Sequence, residues 1–250
     1  MMHEPILIVG ATSDIAEALC RRLAAAGRDL IVAGRDRDAL EALAADLSIR
    51  YGREMASEPF EALDAAAPEP FFARCRAHAA DGLAGLIVCY GYLPQQNVAE
   101  HDLEEQRKTF EINFTSVAAL LAVAANYFAD RRQGFLAAVS SVAGDRGRQS
   151  NYVYGAAKGA LGVYLAGLRN RLHPCGVHVL TVKPGFVATK MTAGQLNPRS
   201  PLVASPERIA ADIERALRRK TSVLYTPWWW RWIMRVICLI PERVFVRLKL

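Results

Sequence analysis

Residues 5–27 have the sequence PILIVGATSDIAEALCRRLAAAG, in which three patterns follow one another. Residues 5–9 form a short continuous apolar run, which predicts a buried strand. A turn of small and polar residues occupies 10–14, and residues 15–26 then repeat apolar side chains at helical spacing until Gly27. A strand, a small-residue turn and a helix N-terminus together can bind phosphate through free backbone N–H groups. Taken alone, the segment equally allows an ordinary strand-to-helix turn capped by Ser13 or Asp14.

The same alternation continues along the chain and predicts the fold class. Further apolar runs at 30–33, 86–89, 135–139 and 177–182 are continuous, which is typical of parallel strands covered on both faces. Helical patterns fill the intervals at 38–47, 70–80, 103–127, 153–172 and 206–219. We therefore predict an α/β fold, a single-domain Rossmann-type doubly wound parallel sheet in three layers. This one domain is expected over 1–226, followed by an apolar and basic tail over 227–250.

Composition agrees with one domain and narrows the functional classes. The chain has 250 residues, 52% of them apolar, which suits a single hydrophobic core. Its five cysteines are scattered without CxxC spacing, so we expect neither a metal site nor a disulfide framework. Reduced thiols and the lack of a signal-peptide pattern before residue 5 predict a cytoplasmic protein.

Tyr154 and Lys158 stand four residues apart in YGAAK and, on a helix, share one face. A phenol is a poor acid catalyst near neutrality because its pKa is about 10, and a neighbouring ammonium is expected to lower it. The pair is therefore a candidate general acid/base for a carbonyl or an alcohol. Ser141 follows an apolar run thirteen residues earlier and could bind the same oxygen.

Together these motifs resemble the short-chain dehydrogenase/reductase family over nearly the whole chain, from about residue 6 to 241. Gly10 and Ile15 match the glycine-rich turn, Asn113 the catalytic asparagine, and KPGFVAT at 183–189 the Pro-Gly segment after the sixth strand. The resemblance implies an NAD(P)H-dependent oxidoreductase that reduces a ketone to a secondary alcohol. The chain departs from the family at Asp14 and Ala16, where glycine is usual, and at 88–91, where Asn-Asn-Ala-Gly is usual.

The resemblance also implies roles for individual residues. Tyr154 would supply the proton, Ser141 would hydrogen-bond the reacting oxygen, Lys158 would hold the nicotinamide ribose, and Asn113 would anchor a water that links Lys158 to solvent. The implied cofactor-binding residues are Gly10, Thr12, Ser13 and Ile15 around the pyrophosphate with Asp14 in the same turn, Glu61 and Ala62 at the adenine, Gly91, Tyr154 and Lys158 at the nicotinamide ribose, and Val187 and Thr189 by the carboxamide, after Pro184 and Gly185. Gln149, Asn151, Tyr92 and the loop 191–201 are expected to line the substrate site.

Cofactor preference is predicted from the end of the second strand. Family members that prefer NAD usually carry an acid directly after this strand, and Gly34 occupies that position here. Arg35 follows, and a guanidinium can bind a 2′-phosphate through paired hydrogen bonds, with Arg37 adding charge. NADP(H) is therefore favoured over NAD(H). The alternative is a solvated arginine in a strand-to-helix turn.

A narrower resemblance concerns substrate. Residues 60–64, 140–158 and 230–248 are similar to the bacterial decaprenylphosphoryl-2-keto-erythro-pentose reductases, which reduce a ketosugar carried on a polyprenyl phosphate. The resemblance implies a ketosugar or lipid-linked substrate.

The tail 227–250 concentrates two kinds of residue. It holds all four tryptophans, at 228, 229, 230 and 232, with five Lys/Arg and one Glu, a surplus of four positive charges out of +6 for the chain. Tryptophan beside arginine is typical of a helix in a membrane interface, and the stretch is too short to span a bilayer. The alternative is a contact within a homodimer or homotetramer. Nucleic acid is not an expected partner, because the surplus charge is confined to an apolar segment.

Two other functional classes stay open at this stage. The first is a nucleotide-binding scaffold or regulatory protein with little turnover, against which the four filled catalytic positions argue. The second is an epimerase or dehydratase like the extended relatives of the family. Those proteins are usually longer and have a sizeable C-terminal substrate domain, for which this chain has no room.

Overall fold

A computed structural model describes residues 4–194, 196–197 and 199–248. The strands are β1 (Ile6–Val9), β2 (Leu30–Gly34), β3 (Met55–Pro59), β4 (Gly85–Val88), β5 (Phe135–Val139), β6 (His178–Pro184), β7 (Phe186–Val187), β8 (Val203–Ala204) and β9 (Val223–Thr226). The helices are α1 (Asp14–Ala25), α2 (Arg37–Tyr51), α3 (Pro68–Ala77), α4 (Gln96–Ala99), α5 (Leu103–Phe110), α6 (Ser116–Arg131), α7 (Tyr152–Leu172), α8 (Pro206–Arg218), α9 (Trp230–Leu239) and α10 (Glu242–Phe245).

Seven strands form one parallel sheet in the order β3-β2-β1-β4-β5-β6-β9. Ile8 pairs with Val32 of β2 on one side and with Ile87 of β4 on the other. The strand order therefore reverses between β1 and β4, and ligands of such sheets bind in the crevice at the carboxyl ends of the strands at this point.

Helices cover both faces of the sheet, because successive strand residues point to opposite sides. Leu7 and Val9 pack with α3, α6 and α7, whereas Ile6 and Ile8 pack with α1, α2 and α8. The predicted doubly wound α/β sandwich is confirmed.

Several boundaries differ from the sequence prediction. Strands β3 and β9 were not predicted, because both are edge strands whose side chains are largely half-buried or exposed and form no continuous apolar run. The helix predicted at 103–127 extends to Arg131, with one π-helical turn, Glu111–Thr115, in the middle. By length and composition alone, Leu103–Arg131 could cross a bilayer. Its largest apolar side chains in the second half, Leu120, Leu121 and Phe128, are buried in the core against the sheet, as in a core helix.

Candidate active site

Close backbone packing fixes the catalytic helix against the end of β5. The turn Val142–Gly144 lies against α7, and a Cβ on Gly144 would come within 2.6 Å of the backbone nitrogen of Gly159. Ser140 supports the same junction, since its hydroxyl donates to the backbone carbonyl of Lys158 at 2.8 Å. Ser141, at the start of the turn, and Tyr154 and Lys158, on α7, are therefore placed by rigid elements.

Lys158 is a buried cation, only 3% exposed. Its Nζ donates to the backbone carbonyl of Val139 at 3.0 Å and lies 5.8 Å from the centre of the Tyr154 ring. Burial lowers the pKa of Lys158 to about 8, and Cys89 raises it to a smaller extent. The ammonium is therefore still the main form at neutral pH, and it loses its proton when the pH rises through about 8.

The prediction that the pKa of Tyr154 is lowered is wrong, because burial outweighs the groups that favour the phenolate. Burial raises the pKa of Tyr154 to about 12, and a hydrogen bond with Ser141 acts in the opposite direction. Ser141 Oγ also accepts from the backbone N–H of Ala143 at 3.1 Å, which fixes the hydroxyl beside the phenol. Tyr154 is consequently a neutral phenol at neutral pH and holds the proton that a general acid donates.

Asn113 lies in the π-helical turn, the kind of local distortion that often occurs at functional sites. The side chain is fully buried. Its Nδ2 donates to the carbonyls of Tyr92 (2.7 Å) and Thr109 (2.8 Å), and its Oδ1 accepts from the N–H of Tyr92 (3.0 Å). A Cβ on Gly91 would lie 2.9 Å from this oxygen and 3.3 Å from Lys158 Nζ. Gly91 therefore leaves room for the asparagine and the lysine.

A cavity of about 800 Å³ opens above the carboxyl ends of β1, β4, β5 and β6. Eleven of the predicted catalytic and cofactor-binding residues line it: Ser13, Asp14, Ile15, Gly91, Ser141, Tyr154, Lys158, Pro184, Gly185, Val187 and Thr189. Asn113 lies behind Gly91. The catalytic and most of the cofactor-binding candidates therefore converge on one space.

The N-terminal turn leaves the start of α1 open toward this cavity. Gly10 has φ +83°, and a Cβ there would come within 2.6 Å of the backbone nitrogen of Tyr90. Ser13 precedes α1 but does not cap it through its side chain, and its hydroxyl contacts the carbonyl of Cys89 at 3.4 Å. Asp14 accepts from the N–H of Lys190 at 2.6 Å, which ties the turn to the loop after β7. The carboxylate has a partner away from the N–H groups of α1.

A second cavity, of about 380 Å³, lies at the ends of β2 and β3 and is lined by Arg35, Phe60, Glu61, Asp64 and Arg74 among others. The Asp36 carboxylate caps α2 by accepting from Ala39 N–H at 3.1 Å, and Asp36 does not line this cavity. Thr12, Gly10 and Ala62 line neither cavity, and Ala62 is buried in the core.

Polar residues that sequence reasoning missed line the remaining wall of the large cavity: Gln95, Gln96, Asn97, Arg148 and Ser150, together with the predicted Asn151. Three of them keep a buried polar atom without a hydrogen-bond partner among the described residues, namely Gln96 Nε2, Arg148 Nε and Asn151 Oδ1.

Gln149 and Tyr92, both predicted to line the substrate site, are not part of the wall. Within the predicted loop, Met191, Thr192 and Leu196 are lining residues, while Gln195 and Pro198 lie outside the described part of the chain. The lining residues that were missed lie in the polar runs at 95–97 and 148–151, and these runs were the indication of them available in the sequence.

These features fit a nicotinamide dinucleotide. The crevice lies at the strand-order reversal, the start of α1 offers uncapped N–H groups for a pyrophosphate, and Gly10 provides the close turn that such a cradle needs. Ser13 and Ile15 would adjoin the pyrophosphate, Arg35 and Glu61 the adenosine end, and Lys158 with Val187 the nicotinamide end.

Comparison with known proteins agrees with the geometry. The family model described as short chain dehydrogenase matches residues 4–199. An uncharacterized oxidoreductase of Mycobacterium tuberculosis is 36% identical over 245 residues, which cover 98% of this chain and 96% of that protein. A short-chain dehydrogenase from Sphingobium yanoikuyae in complex with NADPH has a TM-score of 0.80 at 24% identity, over 95% of this chain and 97% of that one. A variant actinorhodin polyketide ketoreductase with NADPH also gives 0.80, at 20% identity over 90% and 97%. The chain belongs to the short-chain dehydrogenase family and is an oxidoreductase.

Proposed function

We propose that this oxidoreductase uses NADPH to reduce a ketone to a secondary alcohol. The observation that carries the proposal is the convergence of Ser141, Tyr154 and Lys158 on one cavity, with Tyr154 as a neutral phenol. A neutral phenol beside a fixed hydroxyl is suited to protonate an oxygen on which negative charge develops.

The protein residues have separable tasks in this reaction. The cofactor, when bound, supplies hydride to the carbonyl carbon. Tyr154 donates its hydroxyl proton to the developing alkoxide, while Ser141 hydrogen-bonds the same oxygen. The ammonium of Lys158 favours the phenolate that this transfer leaves. Since the pKa of Lys158 is about 8, its proton is also available to restore Tyr154 at neutral pH.

The proposed preference for NADPH rests on the second cavity. Arg35 and Arg74 both line it, and Arg35 directly follows β2, because the strand includes Gly34, which the sequence prediction places after it. The position after the strand therefore carries no carboxylate to bind a ribose 2′-hydroxyl. Arg74 is already held by Glu58 (2.9 Å) and by the carbonyl of Pro59 (3.2 Å), so Arg35 is the side chain expected to bind the 2′-phosphate. The two NADPH complexes among the structural neighbours are consistent with this choice.

The substrate is proposed to be a polar ketone, with a ketosugar, free or lipid-linked, as the favoured class. Side-chain amides, a hydroxyl and a guanidinium line one wall of the cavity, and such groups fix hydroxyl and phosphate oxygens. A steroid would leave them without partners, which costs binding energy. The likeness of 60–64, 140–158 and 230–248 to reductases of lipid-linked ketosugars supports the same class.

A screen of turnover tests the proposal. Purified protein would be assayed with NADPH and with NADH against simple ketones, steroid ketones and free or lipid-linked ketosugars. We expect the highest kcat/KM for a ketosugar with NADPH, and a loss of at least about tenfold in Arg148→Met, the order expected when a charged hydrogen bond is lost. Turnover of steroid ketones that is unchanged in Arg148→Met would contradict the substrate class, and absence of turnover with every carbonyl would contradict the reaction.

A further inference from the structure

The C-terminal segment folds back onto its own domain. Trp230 and Met234 of α9 are buried, 3% and 1% exposed, and pack with Val142 beside the active-site turn. A Cβ on Gly185 would overlap the indole of Trp230, and Phe186 meets that ring edge-on with centroids 5.0 Å apart. The inner face of the helix is therefore already used within the chain.

Arg146 fixes the far end of this segment. Its Nη1 donates to the carbonyls of Ile237 and Ile240, both at 2.6 Å, and its Nη2 pairs with Glu242 at 2.8 Å. The guanidinium also lies 3.7 Å from the centre of the Phe245 ring. Because one side chain binds two carbonyls at the end of α9 and the Glu242 carboxylate of α10, the orientation of the outer face is set by the fold.

The outer face of α9 is apolar as well, with a row of arginines along one edge. Trp232 (54%), Val236 (65%) and Leu239 (76%) are exposed and recur at helical spacing, and Trp228 (63%) precedes them. Arg231 and Arg235 are exposed beside this stripe, and the Arg235 guanidinium lies 5.7 Å from the Trp232 ring centre. We call Trp228, Arg231, Trp232, Arg235, Val236 and Leu239 the tail surface.

The positive charge of the C-terminal segment indicates which kind of partner the tail surface can bind. Arg231, Arg235, Arg243 and Arg247 are exposed, and within the described residues none of them forms an ion pair. The single acid of the segment, Glu242, is paired with Arg146. In a symmetric contact between two copies, the same patch faces itself and like charges come together, which is unfavourable. Phospholipid phosphates, in contrast, pair with the guanidinium groups while the tryptophan and leucine side chains enter the headgroup layer.

We propose that the tail surface binds an anionic phospholipid membrane, with α9 lying in the plane of the interface. The placement has a consequence for access to the active site, because Gly185 and Phe186 both line the large cavity and both contact Trp230. The membrane would thus lie next to one wall of the cavity. This inference does not depend on the proposed reaction, since it concerns binding and not turnover.

Flotation with phospholipid vesicles tests the proposal on the full chain. We expect the protein to float with phosphatidylcholine vesicles that contain phosphatidylglycerol, and at least about tenfold more weakly with phosphatidylcholine alone, as expected for several basic residues at the surface. Binding to the anionic vesicles should fall as salt rises, because the screening length shortens from about 10 Å at 0.1 M to about 3 Å at 1 M.

Two pairs of substitutions separate the contributions. Arg231→Glu with Arg235→Glu should weaken anionic-vesicle binding at least about tenfold, and Trp232→Ser with Leu239→Ser should weaken it to both vesicle types. All four side chains are exposed, so circular dichroism and melting temperature should stay at the wild-type values. Ile49→Ser, at an 85% exposed apolar position on α2, is the matched control and should bind like wild type.

Three results would overturn the proposal. The first is wild-type protein that does not float with anionic vesicles. The second is charge-reversed protein that floats as well as wild type. The third is a combination of two findings: the wild-type protein is a dimer in sedimentation analysis that dissociates in the Trp232→Ser, Leu239→Ser variant, and it does not bind vesicles. That result would assign the surface to a second copy of the chain.

Discussion

The active site and the C-terminal segment use positive charge in opposite environments, and they meet at Gly185. On one side, Lys158 is 3% exposed, donates to the carbonyl of Val139 and has a pKa lowered to about 8 by burial. On the other, Arg231 and Arg235 stand in solvent beside exposed tryptophan and leucine side chains. The buried lysine is close to losing its proton, whereas exposed arginines are charged at all physiological pH values.

This difference shows how burial determines the role that a cationic side chain can have. A lysine that titrates near neutrality can pass a proton, because both of its forms are accessible. An arginine at the surface cannot, but it binds anions over a wide pH range and in a salt-dependent manner. Trp230 separates the two regions, since one face of its helix packs on the wall of the active site and the other carries the arginines.

The largest effect is expected where the two regions meet. Trp230→Ala should destabilise the protein by about 3–5 kcal/mol, because a buried indole against Gly185 and Phe186 is lost and a cavity remains. Chemical denaturation of Trp230→Ala and of Trp232→Ala would measure this. The exposed Trp232 is the control and should change stability by less than about 0.5 kcal/mol. Equal losses for both variants would remove the distinction between the inner and outer faces of α9.

The next effect concerns the cost of burying Lys158. Between pH 8 and 10.5 the unfolded chain holds a proton on this lysine that the folded chain does not, so its contribution to stability rises with pH across that window. Below about pH 8 both states hold the proton, and the folded chain bears the full free-energy cost of burying the ammonium. Lys158→Met should therefore be inactive but more stable than wild type at pH 7, by about 2 kcal/mol after the lost hydrogen bond to Val139 is allowed for.

Urea denaturation at pH 7 and at pH 10.5 measures this difference, which should reverse at the higher pH, because the burial penalty is then nearly gone and the lost hydrogen bond leaves Lys158→Met slightly less stable than wild type. Lys190→Met is the control, because the Lys190 side chain is 81% exposed and carries no comparable penalty. A Lys158→Met protein that is less stable than wild type at pH 7 would show that burial does not disfavour the ammonium.

A third prediction compares Arg35 with the arginines of the tail. Arg35→Ala should weaken NADPH binding by about 1.5–3 kcal/mol, the range for hydrogen bonds to charged groups, and leave NADH binding nearly unchanged. Arg231→Ala, in the tail, should change neither. Isothermal titration with both dinucleotides gives the result, and equal losses for NADPH and NADH in Arg35→Ala would mean that Arg35 does not bind the 2′-phosphate.

The sequence predicted the regular part of this molecule well, for a physical reason. Central parallel strands and the helices beside them carry continuous or periodic apolar patterns, so β1, β4 and α7 could be located from local sequence. The edge strand β3 has half-buried, mixed side chains and leaves no such pattern. The π-helical turn that holds Asn113 could not be predicted either, since its bonds depend on the facing residues Tyr92 and Thr109.

The site shows the same division between local and tertiary information. Spacing along α7 places Tyr154 and Lys158 on one side of the helix, yet the direction of the Tyr154 pKa depends on burial, which spacing does not report. The tryptophans of the tail look alike in sequence. Only the fold shows that Trp230 is buried on Gly185 while Trp232 is exposed.

The central claim is that Tyr154 protonates the reacting oxygen, and Tyr154→Phe tests it most directly. The substitution removes the hydroxyl and keeps the ring, so NADPH affinity measured by titration should stay within about twofold of wild type. Steady-state kcat for reduction of the ketone should fall at least about a hundredfold, the usual contribution of a general acid. A Tyr154→Phe enzyme that binds NADPH normally and turns over at close to the wild-type rate would contradict the account.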